Sequence, residues 1–149
     1  MKILATNKRA RYDYEITETL VAGLVLAGHE VKSVKQGAIS LKGSFISFQG
    51  DEAFLTNAHI TRYKHASGVA DYEPTQSRKL LLHRKELDKL LAEIKTAGKT
   101  AVPTAVGLER GLVKIEVGIG RGKKNYDKRE TIKKRDMIRD ASLEIKKKK

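Results

Sequence analysis

The sequence predicts a mainly β fold with flanking helices: an OB-like closed β-barrel over residues 1–120, followed by a basic tail over 121–149 that is disordered in the free chain. Three observations predict it. Short β-rich runs recur with turn signals between them, one strongly amphipathic helix stands between two hairpins, and no strand pattern continues beyond Gly122.

Taken in order, "YDYEIT" (Tyr12 to Thr17) alternates with period two, placing Tyr12, Tyr14 and Ile16 on one face of a half-buried strand. "ETLVAGLVLAG" reads as a short helix with Leu20, Leu24 and Ala27 on one side, stopped by Gly28, and "HEVKSVKQG" as a strand ending at Gly37. "SFISFQGDEAFLTNAHI" carries two β-rich runs around Gly50 and Asp51, a hairpin signal. The polar stretch "YKHASGVADYEPTQSR" has little periodicity and reads as a surface loop, functional or disordered. In "RKELDKLLAEIKTAG", Leu87, Leu90, Leu91 and Ile94 recur at i, i+3, i+4 and i+7, and Gly98 stands at the C-terminal cap, so a helix is expected. "TAVPTAVGLERGLVKIEVGIG" is a second hairpin turning at Arg110 and Gly111, with Pro103 expected on an edge or at a bulge.

A chain of 149 residues fits one domain with its own core. Its formal net charge is +13, from 31 Lys and Arg against 18 Asp and Glu, which surrounds it with a field that attracts polyanions. The charge is uneven: residues 121–149 hold 13 basic against 5 acidic side chains. With no cysteine there is neither a disulfide framework nor a thiolate metal site, and a reducing, cytoplasmic location is expected. The longest apolar run, "LVAGLVLA", is too short to cross a bilayer, and no long basic amphipathic helix with aromatic anchors suggests membrane binding.

Catalysis finds little support. His29, His59, His65 and His83 lack metal-ligand spacing, so no metal or cofactor is expected and each reads as a surface or strand-end residue. "GIGRGKK" fails as a phosphate loop because Val117 and Lys124 stand where glycine and a hydroxyl residue are required. Not an enzyme is therefore the reading. RNA binding fits better, since it needs surface cations to meet phosphates and aromatic or small polar groups beside them. "NKRARYDY" sets Lys8, Arg9 and Arg11 beside Tyr12 and Tyr14, and "SRKLLLHRK" sets Arg78, Lys79, Arg84 and Lys85 around an apolar strand.

In the tail, Glu130 with Lys134 and Asp136 with Arg139 are favourable helix pairs, while Lys133 to Arg135 and Lys146 to Lys149 repel one another. Ile138, Ala141 and Ile145 form a thin apolar stripe, so a helix is expected only when phosphates neutralise the basic side. Fully helical, the segment would reach about 43 Å.

"NKRARYDYEI", "AGLVLAGHEVKSVKQG", "SRKLLLHRKEL" and "GKKNYDKRETIKKRD", in this order and spacing, resemble the small protein B (SmpB) family, the SsrA-binding proteins that partner transfer-messenger RNA. The resemblance runs almost end to end. It implies an OB-type barrel that binds the tRNA-like domain of transfer-messenger RNA and delivers it to the vacant A site of a stalled ribosome for trans-translation. The tail would enter the small-subunit decoding centre and become helical on the ribosome, and the stalled peptide would be tagged. By position, Asn7, Leu81 and Lys114 match residues contacting the tRNA-like domain. Gly122, Lys123 and Lys124 match the Gly-Lys-Lys step, and Asp127, Lys128 and Arg129 the Asp-Lys-Arg step used in accommodation and tagging. Tyr126 stands where the family often has histidine, a ring able to stack on a decoding-centre base.

Two departures stand out. Val21 replaces a frequent glutamate that contacts RNA, so that contact is not carried over. "EPTQ" from Glu73 to Gln76 replaces an Asp-Pro-x-Arg pattern, leaving one positive charge fewer. A monomer is the expected state, and the competing reading is a general ribosomal or structured-RNA-binding OB protein.

Overall fold

The computed structural model describes residues 1–64 and 71–123. Nine strands and three helices occur among them: β1 (Lys2–Thr6), α1 (Lys8–Asp13), β2 (Tyr14–Leu24), α2 (Gly28–Lys35), β3 (Ile39–Ser40), β4 (Phe45–Gln49), β5 (Glu52–Thr56), β6 (His59–Ile60), β7 (Arg78–Leu81), α3 (Arg84–Ala97), β8 (Thr100–Glu109) and β9 (Leu112–Gly122). The fold is mainly β, as expected. Seven strands pair in the order β1-β8-β9-β2-β7-β5-β4, every pair antiparallel, and β3 and β6 form a separate two-stranded ladder. No strand pairing joins β1 to β4 among the described residues, although β4 comes up against β8.

Both expected hairpins form. In β8–β9 the turn residues Arg110 and Gly111 both have positive φ, 51° and 79°, the mirror-image turn whose twist suits paired strands. β4 and β5 turn through Gly50, at φ 61°. Pro103 lies where the β8–β9 ladder slips register, between Pro103 and Ala105, so a bulge absorbs its missing N–H. Helix α3 packs Leu87 and Leu90 into the core, with Leu91 and Ile94 flanking them, and ends at Gly98 in the left-handed conformation, φ 64°.

Three expectations are corrected. "ETLVAGL" is the second half of the long strand β2, not a helix. "GHEVKSVK" is helix α2, not a strand; Glu30, Ser33 and Val34, at i, i+3 and i+4, form its buried face. Tyr12 and Asp13 end α1 rather than starting the strand, whereas Tyr14 to Thr17 alternate half-buried and exposed as expected of "YDYEIT", with a bulge between Ile16 and Glu18.

The core is aliphatic. Leu41, Leu55, Ile60, Leu90, Val106, Ile115, Val117 and Ile119 are essentially sealed from solvent, and each such side chain contributes about 1.5–3 kcal/mol by burial. Beside it lies a buried polar cluster. The Arg78 guanidinium donates to Glu30 Oε2 from Nε at 3.0 Å, to the Ala58 carbonyl at 2.7 Å and to the Pro74 carbonyl at 2.9 Å. Tyr72 donates to Glu30 or to the Ile60 carbonyl, 2.8 and 2.9 Å away, and Gln76 also donates to Glu30. Residues 72–77 are a loop at the surface, as expected, but Tyr72, Pro74 and Gln76 tie it to this cluster, which gives it a structural role rather than the functional or disordered one expected; residues 65–70 of that stretch, with His65, lie outside the described residues.

Burial alone pushes the Glu30 carboxyl up, but the Ala27 N–H, Arg78 and Tyr72 outweigh it and hold the group below its ordinary value. The Tyr72 hydroxyl is pushed up to about 12, first by burial and then by its bond to Glu30.

Candidate nucleic-acid interface

The outward face of β2, β7 and β9 carries the first group of expected residues. Register aligns Leu81 with Gly23, Gly23 with Lys114, Lys114 with Gly107, and Gly107 with Ile3, one row across five strands. Period-two alternation puts Ile115 and Val117 inward and Lys114 and Glu116 outward. Leu81 is 56 % exposed, large for a leucine, and stands beside exposed Val21. Val21, Gly23, Leu81, Leu82, His83, Glu86 and Lys114 line a shallow hollow of about 490 Å³.

Gly23 makes this possible. A Cβ there would lie 3.1 Å from Leu81 Cβ, so the bare backbone lets Leu81 lean across β2 toward Lys114. The hollow's carboxylate is engaged: Glu86 accepts from the His83 N–H, capping α3. Val21 and Leu81 offer apolar surface beside Lys114 and the exposed His83, able to meet a base or ribose and a phosphate together.

Val21 faces Glu116 across the β2–β9 ladder. The carboxylate absent at position 21 is therefore present one strand over, where the Thr104 hydroxyl donates to it at 2.7 Å.

Helix α1 carries the second group. Asn7 starts it, its Oδ1 accepting from the Ala10 N–H at 3.3 Å while its Nδ2 donates to the Pro103 carbonyl at 2.9 Å. The Asn7 carboxamide thus caps α1 with its oxygen and ties it to β8 with its nitrogen. Lys8 and Arg11 stand exposed; Arg9 pairs with Asp13 at 3.1 Å and lies 4.7 Å over the Tyr12 ring. Asn7, Lys8, Arg9 and Tyr12 line a cleft of about 680 Å³ whose other wall is Ile39 to Lys42, and none of its lining residues is acidic. A smaller hollow shared by Asn7, Lys8, Arg11, Thr104 and Glu116 connects it to the β9 face. Asn7, Lys8, Arg9, Arg11, Leu81 and Lys114 therefore fall on one connected tract.

The second basic cluster fares differently. Arg78 is buried and committed to Glu30, so it is no surface cation. Lys79 points outward like Leu81 but pairs with Glu52 at 3.1 Å, and Arg84 pairs with Asp51 and Asp88. Sequence reasoning missed Ser40 and Lys42, which line the α1 cleft; no local motif marks them. His29 is half-buried on α2 with its ring edge-on to Tyr72, whereas His59 and His83 are exposed. Among the described residues no cluster of His, Asp or Glu could hold a metal, and no helix is long and apolar enough to cross a membrane. Gly122 ends β9 and Lys123 follows it. Lys124, Tyr126, Asp127, Lys128 and Arg129 lie outside the described residues.

Comparison with known proteins bears on what this tract meets. A family profile described as "SmpB protein" matches residues 4–147. The "SsrA-binding protein" of Persephonella marina is 46 % identical over 98 % of this chain and 95 % of that protein, and that of Shouchella clausii 45 % over 97 % and 92 %. A solved chain from the work "tmRNA-SmpB: a journey to the center of the bacterial ribosome" aligns with a TM-score of 0.65 and 44 % identity, covering 81 % of this chain and 85 % of that one.

Proposed function

The chain belongs to the SmpB family of SsrA-binding proteins, and from that premise we propose that it binds the tRNA-like domain of transfer-messenger RNA and delivers it to the A site of stalled ribosomes for trans-translation. It acts in the cytoplasm as a binding adaptor, making and breaking no covalent bond itself. One observation supports this most: the family-matched Leu81 and Lys114 stand side by side on an exposed face continuous with the cationic surface of α1.

Leu81 and Val21 offer apolar area to bases or riboses, and Lys114, Lys8 and Arg11 offer charge to phosphates. Asn7 takes part chiefly by fixing α1, since its own carboxamide is already bonded. The approach of β4 to β8 supports reading the curled sheet as an OB-like barrel. β9 runs on to Gly122, past the expected boundary at residue 120, and residues 124–149 act as a tail disordered in the free protein and helical on the ribosome, with Tyr126 and the Asp127, Lys128 and Arg129 step working at the decoding centre.

Two sets of variants test the division of labour. Replacing Leu81 and Lys114 by Ala is expected to weaken binding to the tRNA-like domain at least tenfold in a filter-binding assay. Replacing Asp127, Lys128 and Arg129 by Ala is expected to leave that affinity within about twofold while abolishing peptide tagging on stalled ribosomes. A large affinity loss in the triple variant would overturn the division, and equal affinity for generic duplex RNA would favour a general RNA-binding protein.

A further inference from the structure

The end of β9 is fastened to the ends of two helices. The Lys123 N–H donates to the Asp13 carbonyl at 2.8 Å, one step beyond the Tyr14–Gly122 pair, and Lys123 Nζ donates to the Arg11 carbonyl at 3.0 Å. Arg121 Nη2 donates to the carbonyl of Ala97, the last residue of α3, at 3.2 Å. Arg11 and Asp13 belong to the last turn of α1.

The final carbonyls of a helix have no intrahelical N–H to accept from and carry partial negative charge, so a cationic donor is well placed there. Two cations separated only by Gly122 thus serve the C-terminal carbonyls of two different helices. Gly120 and Gly122 flank Arg121, and glycine leaves the chain direction to whatever holds the neighbouring residues.

We propose that Arg121 and Lys123 form a clamp that sets the direction in which residues 124–149 leave the domain, and that Lys123 is a positioning residue rather than a phosphate contact. The proposal rests on the reading of those residues as a ribosome-binding tail. It assigns Lys123 of the Gly-Lys-Lys step to the domain, onto which its ammonium is turned back.

The test uses full-length protein carrying Lys123→Ala, Lys123→Gln or Arg121→Ala. In the free protein, amide hydrogen exchange at residue 123 is expected to quicken at least fivefold in Lys123→Ala, and less in Lys123→Gln, which keeps an uncharged donor of shorter reach. Tagging should fall at least tenfold in Lys123→Ala and recover in part in Lys123→Gln, with Arg121→Ala in between. In complex with transfer-messenger RNA, the slope of log affinity for stalled ribosomes against log salt should stay at the wild-type value in all three. A slope reduced by about one in Lys123→Ala would mark a lost phosphate contact and overturn the clamp. Unchanged exchange or full tagging would overturn it as well. Failure of the family reading would show separately, as wild-type protein that does not bind the tRNA-like domain.

Discussion

Glu30 is the residue whose environment is least compatible with its chemistry in isolation. It is a carboxylate at 2 % exposure, and only the donors around it make that position tenable. Glu30→Ala would leave the Arg78 guanidinium buried without its counter-charge, and a loss of about 3–5 kcal/mol is expected in urea unfolding. Replacing Glu30 and Arg78 together by apolar residues should cost less than either alone. The pH dependence has a definite sign. Because folding lowers the Glu30 pKa, its stabilisation is full above the ordinary value of 4.5 and is lost as pH falls through the folded value. The advantage of wild type over Glu30→Gln should therefore shrink below about pH 4.5, which melts across an acid series would measure.

At the scale of elements, the sequence was legible where pattern and environment agree and misleading where a strand or helix serves a special face. Both hairpins, the Pro103 bulge and α3 could be read because their apolar residues face the core and glycines, Gly50, Gly98 and Gly111, stand at positive φ where the chain turns or the helix ends. β2 reads as a helix in the sequence because it is apolar on both sides: Ala22 and Leu24 point into the core, while Val21 is exposed on the face that also carries Leu81. α2 was misread as a strand because its buried face includes Glu30 and Ser33, which no hydrophobic period reveals. The candidate site divides likewise. Leu81, Lys114 and Lys8 could be found by family position or local charge, whereas Gly23 and Lys42 acquire their roles only when distant segments meet.

The β2–β9 pairing carries an element-level prediction. A Cβ on Gly120 would lie 2.0 Å from the Glu15 carbonyl oxygen, a backbone atom that no side-chain rotation can move. Gly120→Ala should cost at least about 1–3 kcal/mol by forcing the strands apart beside the bulge, and thermal unfolding would show it. Gly122→Ala, with nothing within 4 Å of the new methyl, serves as the control.

For the whole molecule, the surplus of positive charge governs how it finds its partner. Of the net +13, the larger share lies beyond residue 120, while many domain cations are already matched, such as Lys79 with Glu52 and Lys89 with Glu18. Affinity of residues 1–123 alone for the tRNA-like domain should still fall with salt, by more than tenfold between roughly 50 and 200 mM, because released counterions dominate such binding. Salt-independent affinity in that truncated protein would mean that the exposed sheet binds by apolar contact alone.

The strand order also governs when the domain can exist at all. β1 waits for β8, and β2 must find β9 about a hundred residues later in the chain, so apart from the β4–β5 and β8–β9 hairpins the ladders of the main sheet join segments that are not consecutive. At synthesis rates of about 5–20 residues per second, the first half of the protein emerges seconds before its partners. A nascent chain halted before Leu112 has no β9, the strand on which both β8 and β2 pair, and so cannot assemble the face that carries Lys114 beside Leu81. Production of the domain is thereby all-or-none: a copy that stops short of β9 is not a weaker RNA binder but an unfolded chain.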